Sequence, residues 1–165
     1  MECLLKRRIY KMVVPKFRAW DKEFKEMVQV NAIVLDEQVI KVTYKNGNVV
    51  KEDIKNYELM QSTGIEDKAG NEIFEGDILI TNAHASIVSF GKYTYYQDSD
   101  TEVTEVGFYL SYLNISPATY SPFEKFLWEK CQVIGNIHEN ELDLIMYEAW
   151  KFNEEMEAKK DVSKI

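Results

Sequence analysis

From Lys16 onward the apolar positions recur with a period of two. Phe17 and Ala19, then Val28 and Val30, alternate with polar neighbours, the pattern of half-buried strands. Val39-Ile40-Lys41-Val42-Thr43-Tyr44-Lys45 and Val49-Val50-Lys51-Glu52-Asp53-Ile54 are rich in β-branched residues, and Asn46-Gly47 lies between them. That pair tolerates the positive φ angles of a type I′ turn, so the segment predicts a hairpin. At Leu59 a polar, glycine-containing cluster opens, which reads as turn-forming. Four further strand candidates follow: Asp77–Thr81, Ala85–Tyr95, Val106–Tyr112 and Gln132–Ile137. Gly76 suits a tight turn into the first of these, because only glycine takes φ > 0 freely. Between the strands, Tyr96 to Glu105 reads as an acidic loop, Pro117 to Pro122 as a second loop, and Phe123 to Trp128 as a short helical turn.

The period changes after residue 139. Leu142, Ile145, Met146, Ala149, Phe152 and Met156 fall within an arc of roughly 120° on a helix. Asn140 can cap that helix, with Asp143 as a capping-box-like partner, and the acidic residues precede Lys159-Lys160 as the helix dipole favours. A C-terminal helix over about 140–158 is therefore expected, its stripe docked on the sheet or shared between subunits. Residues 1–11 stand apart as a flexible lead, with Met12-Val13-Val14-Pro15 resembling a natural start. Residues 12–165 form one domain, β-rich over 16–138. The fold class is mainly β, a small barrel or sandwich of short strands, with a C-terminal α-helix.

Composition narrows the function classes. Hydrophobic residues make up 45% and aromatics 13% of the 165, enough for a packed core. The net charge is −8, a poor balance for binding phosphates, and the only basic cluster is Lys6-Arg7-Arg8. A protein partner or self-association as a homo-oligomer fits this charge better than nucleic acid. No stretch reaches the ~20 apolar residues that span a bilayer. With two cysteines in unlike contexts, Cys3 and Cys131, no disulfide framework is implied, and a bacterial cytoplasm is the expected location.

Chemistry-bearing arrangements are sparse. Cys131 and His138 are separated by seven residues, about 20 Å along an extended strand, too far for a nucleophile and its base. His84 and His138 are the only histidines, so no zinc spacing emerges. Asp98-Ser99-Asp100-Thr101-Glu102 opens like a calcium loop, but Val103 and Tyr109 stand where that loop needs Gly and Glu. Glu66, Asp67, Glu75 and Asp77 form an acidic cluster that turn formation explains as well as Mg²⁺ binding does. No catalytic, metal or cofactor set is assigned. Trp20, Trp128, Tyr93, Tyr95 and Tyr96 supply aromatic groups that pack in a core or anchor a partner.

Four blocks occur in order: Lys16-Phe17-Arg18-Ala19-Trp20-Asp21, Leu59-Met60-Gln61-Ser62-Thr63-Gly64, Ile73-Phe74-Glu75-Gly76-Asp77-Ile78, and Val133-Ile134-Gly135-Asn136-Ile137-His138-Glu139-Asn140. As an ordered set the chain resembles the YopX family of phage and prophage proteins. The resemblance implies a mainly β fold with an SH3-like barrel portion, encoded on a phage or an integrated prophage. It brings no catalytic residues. It marks Arg18, Trp20, Asp21, Gln61, Thr63, Gly64, Gly76, Asp77 and Asn136 as matching positions, which either bind or build turns and strand starts. The expected function is a non-enzymatic binding module. The rivals are a nucleic-acid-associated barrel, an acidic decoy of a DNA-binding host protein, and a metal-dependent hydrolase using the acidic cluster.

Overall fold

The computed structural model describes residues 14–81, 84–113, 115 and 117–140. Among the described residues eleven strands are paired as two antiparallel sheets. The first sheet holds β1 (Phe17–Asp21), β2 (Glu26–Val34), β3 (Val39–Thr43), β4 (Val49–Asp53), β5 (Tyr57–Glu66) and β6 (Glu72–Phe74), in the order β4-β3-β2-β1-β5-β6. The second holds β7 (Asp77–Thr81), β8 (His84–Tyr96), β9 (Glu102–Tyr112), β10 (Tyr120–Pro122) and β11 (Gln132–Asn136), in the order β10-β9-β8-β7-β11. The expected helical turn before β11 is α1 (Lys125–Trp128). The proposed lead over 1–11 and the C-terminal helix from 141 onward lie outside the described residues.

The Asn46-Gly47 hairpin forms, but not through the expected type I′ turn: only Gly47 of the pair takes a positive φ, and Lys45, Asn46 and Gly47 make a three-residue loop between Tyr44 and Asn48. Gly47 has φ +87, Tyr44 and Asn48 close the turn, and β3 pairs with β4 from Thr43↔Val49 to Val39↔Asp53. Alternation does the sorting: Ile40 and Val42 are buried while Lys41 between them is exposed. With Ala19, Val28 and Tyr57 they make the core of the first sheet.

The segment from Leu59 corrects the turn reading. It belongs to the ten-residue strand β5, all but the first two residues of which lie in it, and the reversal comes later, at Asp67–Gly70. Its polar residues serve a bulge: the register with β6 shifts between Ser62 and Glu66, and Gly64 takes φ +72 there. The Ser62 hydroxyl accepts the Gly64 N–H (3.0 Å) and Thr63 Oγ1 accepts that of Ile65 (3.2 Å), so the unpaired backbone is satisfied locally. A composition of Ser, Thr and Gly fits a bulge as well as a turn. The Pro117–Pro122 loop is likewise shorter than expected, because Tyr120–Pro122 pairs with β9 as an edge strand.

The core of the second sheet contains Leu79, Val88, Leu110, Phe123 and Cys131, together with Ile73 from the last strand of the first sheet. Burying a side chain of this size stabilises a fold by roughly 1.5–3 kcal/mol. Ile73 therefore ties the two sheets together through packing. Among the described residues no helix is long and apolar enough to cross a membrane.

Candidate functional site

Strand β1 is central in the first sheet, between β2 and β5. Its alternation sends Ala19 into that sheet's core and sets Arg18 and Trp20 on the opposite face. Gly76 and Asp77 bring the chain there from the other side. Gly76 has φ +78, and a Cβ on it would sit 2.5 Å from Met60 Cε and 3.3 Å from Ile137 Cδ1. Only glycine fits this passage from β6 into β7. Its N–H donates to the Val88 carbonyl (2.7 Å) and its own carbonyl accepts from Ile137 N–H (3.0 Å).

The turn places the Asp77 carboxylate, buried at 1% exposure, against the Arg18 guanidinium as an ion pair. The other Asp77 oxygen accepts the Phe74 N–H (2.8 Å), and Arg18 lies over the Phe74 ring, 4.7 Å from its centroid. Burial pushes the Asp77 carboxyl up in pKa, against the pull of Arg18 and the Phe74 N–H. Arg18 Nε is buried without a hydrogen-bond partner, so the pair is not fully satisfied. Asn136 pairs in register with Asp77. Its Oδ1 accepts the N–H groups of His138 and Glu139 (both 3.0 Å), and its Nδ2 donates to Glu139 Oε2 (2.7 Å). This fixes a turn that stacks His138 on Trp20, with ring centroids 5.4 Å apart and planes 11° from parallel. His138 Nε2 lies 3.5 Å from Glu58 Oε2. Burial of the imidazole lowers its pKa despite that carboxylate. Asn140, the expected helix cap, turns its Oδ1 back to accept the Asn136 N–H (3.1 Å).

Asp21, 2% exposed, serves the other face of β1. It accepts the Glu23 and Phe24 N–H groups (2.8 and 2.9 Å) and the Tyr44 hydroxyl. Burial raises its carboxyl pKa, but the Tyr44 hydroxyl and these N–H donors outweigh that and hold it below the ordinary range. Tyr44 is pushed up to about 12 by burial and by Asp21. Gln61 contributes its carbonyl to Glu75 N–H (2.8 Å), and Thr63 donates to the Ile73 carbonyl (2.8 Å). Both tie β5 to β6. Gly64 sits apart from the joint, in the bulge.

The matching positions thus converge in part. Arg18, Trp20, Gly76, Asp77 and Asn136 meet where the two sheets join, while Asp21, Gln61, Thr63 and Gly64 organise the first sheet around them. The acidic cluster disperses: Glu66 is exposed, and Asp67 is buried with both oxygens on hydrogen-bond donors. Among the described residues no three His, Cys, Asp or Glu side chains are placed to hold a metal ion. Cys131 lies in the second core, and burial raises its thiol pKa to about 11. His138 is on Trp20 instead.

Two features escaped the sequence. Asp67 accepts N–H groups from Ala69 (2.8 Å), Asn71 (2.9 Å) and, 66 residues away, Val133 (3.0 Å), so it pins its turn to β11. The Asp67-x-x-Gly70-Asn71 spacing signals the turn but not the distant partner. The other is a row of tyrosines on the second sheet. Tyr93 stacks on Tyr95 (5.7 Å) and on Tyr109 (4.7 Å), and Tyr109 meets Tyr120 edge to face (5.6 Å). Only Tyr93 and Tyr95 show a sequence signal, through their period-2 spacing.

A two-sheet β fold joined by a buried Arg–Asp pair, with no metal cluster among its described residues, defines the class. The model of the YopX protein family matches residues 16–143, and the chain belongs to that family. No curated protein matches it. Among solved structures, that of protein EF1440 from Enterococcus faecalis is similar at 28% identity and a TM-score of 0.50, covering 78% of this chain and 96% of that one.

Proposed function

We propose that this protein is a phage- or prophage-encoded accessory protein that works in the bacterial cytoplasm as a non-enzymatic binding module for another protein. One observation carries the reading. Arg18, Asp21, Thr63, Asp77 and Asn136, at family-matching positions, hydrogen-bond or pair through their side chains within the chain, whereas two tyrosines of the second sheet reach the surface, Tyr96 at 69% and Tyr120 at 36% exposure. Groups that act on a substrate need a free valence toward it; aromatic rings at a surface need only a partner to cover them. We read the second sheet as the SH3-like portion.

Affinity purification of the full chain from phage-infected or induced cells tests the proposal. A protein partner recovered in fixed stoichiometry supports it. Recovery of the chain alone, together with a nucleic-acid mobility shift at low salt, favours the nucleic-acid rival, which has one feature behind it: Lys16, Arg18 and Lys45 line one groove beside Phe74.

A further inference from the structure

Tyr95 and Tyr120, the two ends of the tyrosine row, line a groove of about 540 Å³, with the Tyr93–Tyr109 stack between them in the row. One bank is the end of β8, Tyr95 to Gln97. The other is β10 and the start of α1, where Tyr120, Pro122 and Glu124 line it together with Tyr112 from β9. The β8–β9 register explains why rings gather here. Tyr93 pairs with Glu105 and Tyr109 with Ser89, so about 13 Å of strand separates the two tyrosines along the ladder. The pair between them is Gly91↔Gly107, which places no side chain in the gap, and the two rings lean across it to stack at 4.7 Å.

Acidic groups surround this aromatic surface. Glu124 is the charged residue of the lining and is exposed. Glu105 accepts the Tyr93 hydroxyl at 2.8 Å and lies 3.5 Å from that of Tyr95. The turn beyond Gln97 adds Asp98, Asp100 and, at the first residue of β9, Glu102. Asp98 is held in place by accepting the N–H groups of Asp100 (3.0 Å) and Thr101 (2.8 Å), so the acidic turn has a defined shape next to the groove.

We infer that this groove binds an extended, proline-containing segment of a partner protein that also carries a lysine or arginine. A polyproline II strand has no internal hydrogen bonds and is already rigid, so it loses little entropy on docking. Grooves lined by aromatic rings accept its prolines between the rings. The acidic border supplies the charge complement for the basic residue and disfavours a second copy of this acidic chain. The inference rests on the proposed binding role and names the site and the partner's chemistry.

Selection from a random peptide library displayed on phage, with the intact chain as bait, tests it. Enriched peptides should carry proline and Lys or Arg. Titration of the best peptide should show affinity at least about tenfold weaker for Tyr120→Ala, whose ring lies at the rim, so its circular dichroism and melt check that it folds. Glu124→Lys should weaken binding several-fold, and exchanging the peptide's basic residue for Gln should abolish the difference between Glu124→Lys and the parent chain. No enrichment, enriched peptides lacking proline or basic residues, or a folded Tyr120→Ala that binds equally well would overturn the inference. The cellular partner separates the two levels. A partner that still co-purifies with Tyr120→Ala leaves the binding role standing and removes this groove from it; a missing partner removes both.

Discussion

The joint between the sheets and the tyrosine face of the second sheet are both rich in functional groups, yet they treat those groups in opposite ways. At the joint, Asp77, Asn136 and His138 are matched to partners inside the molecule, Arg18 is paired through its terminal nitrogen with its buried Nε left over, and Trp20 is covered. On the tyrosine face the rings stack on one another around a buried Tyr93 while Tyr96 and Tyr120 stay exposed, and the nearby Glu124 is exposed. Polar residues within a recognisable motif can be engaged inside the molecule rather than turned outward. What counts is whether their hydrogen-bonding capacity ends within the chain.

This contrast breaks most visibly at the joint. Asp77→Ala leaves the guanidinium of Arg18 and the Phe74 N–H without their acceptor, and should lower stability by about 3 kcal/mol, read from urea denaturation. A loss under about 1 kcal/mol would mean that the pair is not a structural tie. Next, Gly76→Ala adds a methyl 2.5 Å from Met60 Cε at a φ of +78, and should cost about 2 kcal/mol by the same measurement. Both variants should keep the tyrosine face functional in the fraction that folds.

The pH dependence follows in size. Burial depresses the folded pKa of His138 below the ordinary imidazole value of 6.5, so its neutral form is the one the fold favours. For a base shifted downward the unfolded chain binds the proton first. Stability should thus be fully present above pH 6.5 and decline as pH falls toward the folded value. The carboxyls of Asp21 and Asp67 are held low in spite of burial, Asp21 by the Tyr44 hydroxyl and the Phe24 and Glu23 N–H groups, Asp67 by N–H donors led by that of Val133. Their contribution is present above the ordinary carboxylate range and disappears as pH drops through their folded values. A series of thermal melts from pH 8 to pH 3 should show the first decline vanish in His138→Gln while the lower one persists. The smallest effect belongs to the open face: Tyr120→Ala should change stability by about 1 kcal/mol or less, because its ring is partly exposed and meets Tyr109 only edge to face.

The same division marks what was readable from the chain. Strand Asp77–Thr81 is legible to the residue, and the hairpin around Asn46-Gly47 is legible as a hairpin though not in its strand ends or turn type, since alternation and turn chemistry are local properties. Strand β5 was misread because Ser62, Thr63 and Gly64 satisfy a bulge with the same residue types that build turns. Strand β6 is three residues long, too short for any period to register. The joint itself was invisible: Arg18 and Asp77 lie 59 residues apart, and Asp67 and Val133 lie 66 apart. Nothing local says which arginine a given aspartate will meet. The resemblance marks Arg18, Trp20, Gly76, Asp77 and Asn136 as one set, and these five meet at the joint. The tyrosine row needed the β8–β9 register, which puts Tyr93 and Tyr109 on one face across a glycine pair.

The division of labour itself is tested most directly by hydrogen–deuterium exchange on the full chain, free and bound to its co-purified partner or selected peptide. Added protection should fall on the end of β8 and on β10 through Glu124, with β1 and the Asp77 turn unchanged. Protection confined to β1, the Asp77 turn and residues 136–139, with the tyrosine face exchanging as in the free chain, would contradict the account.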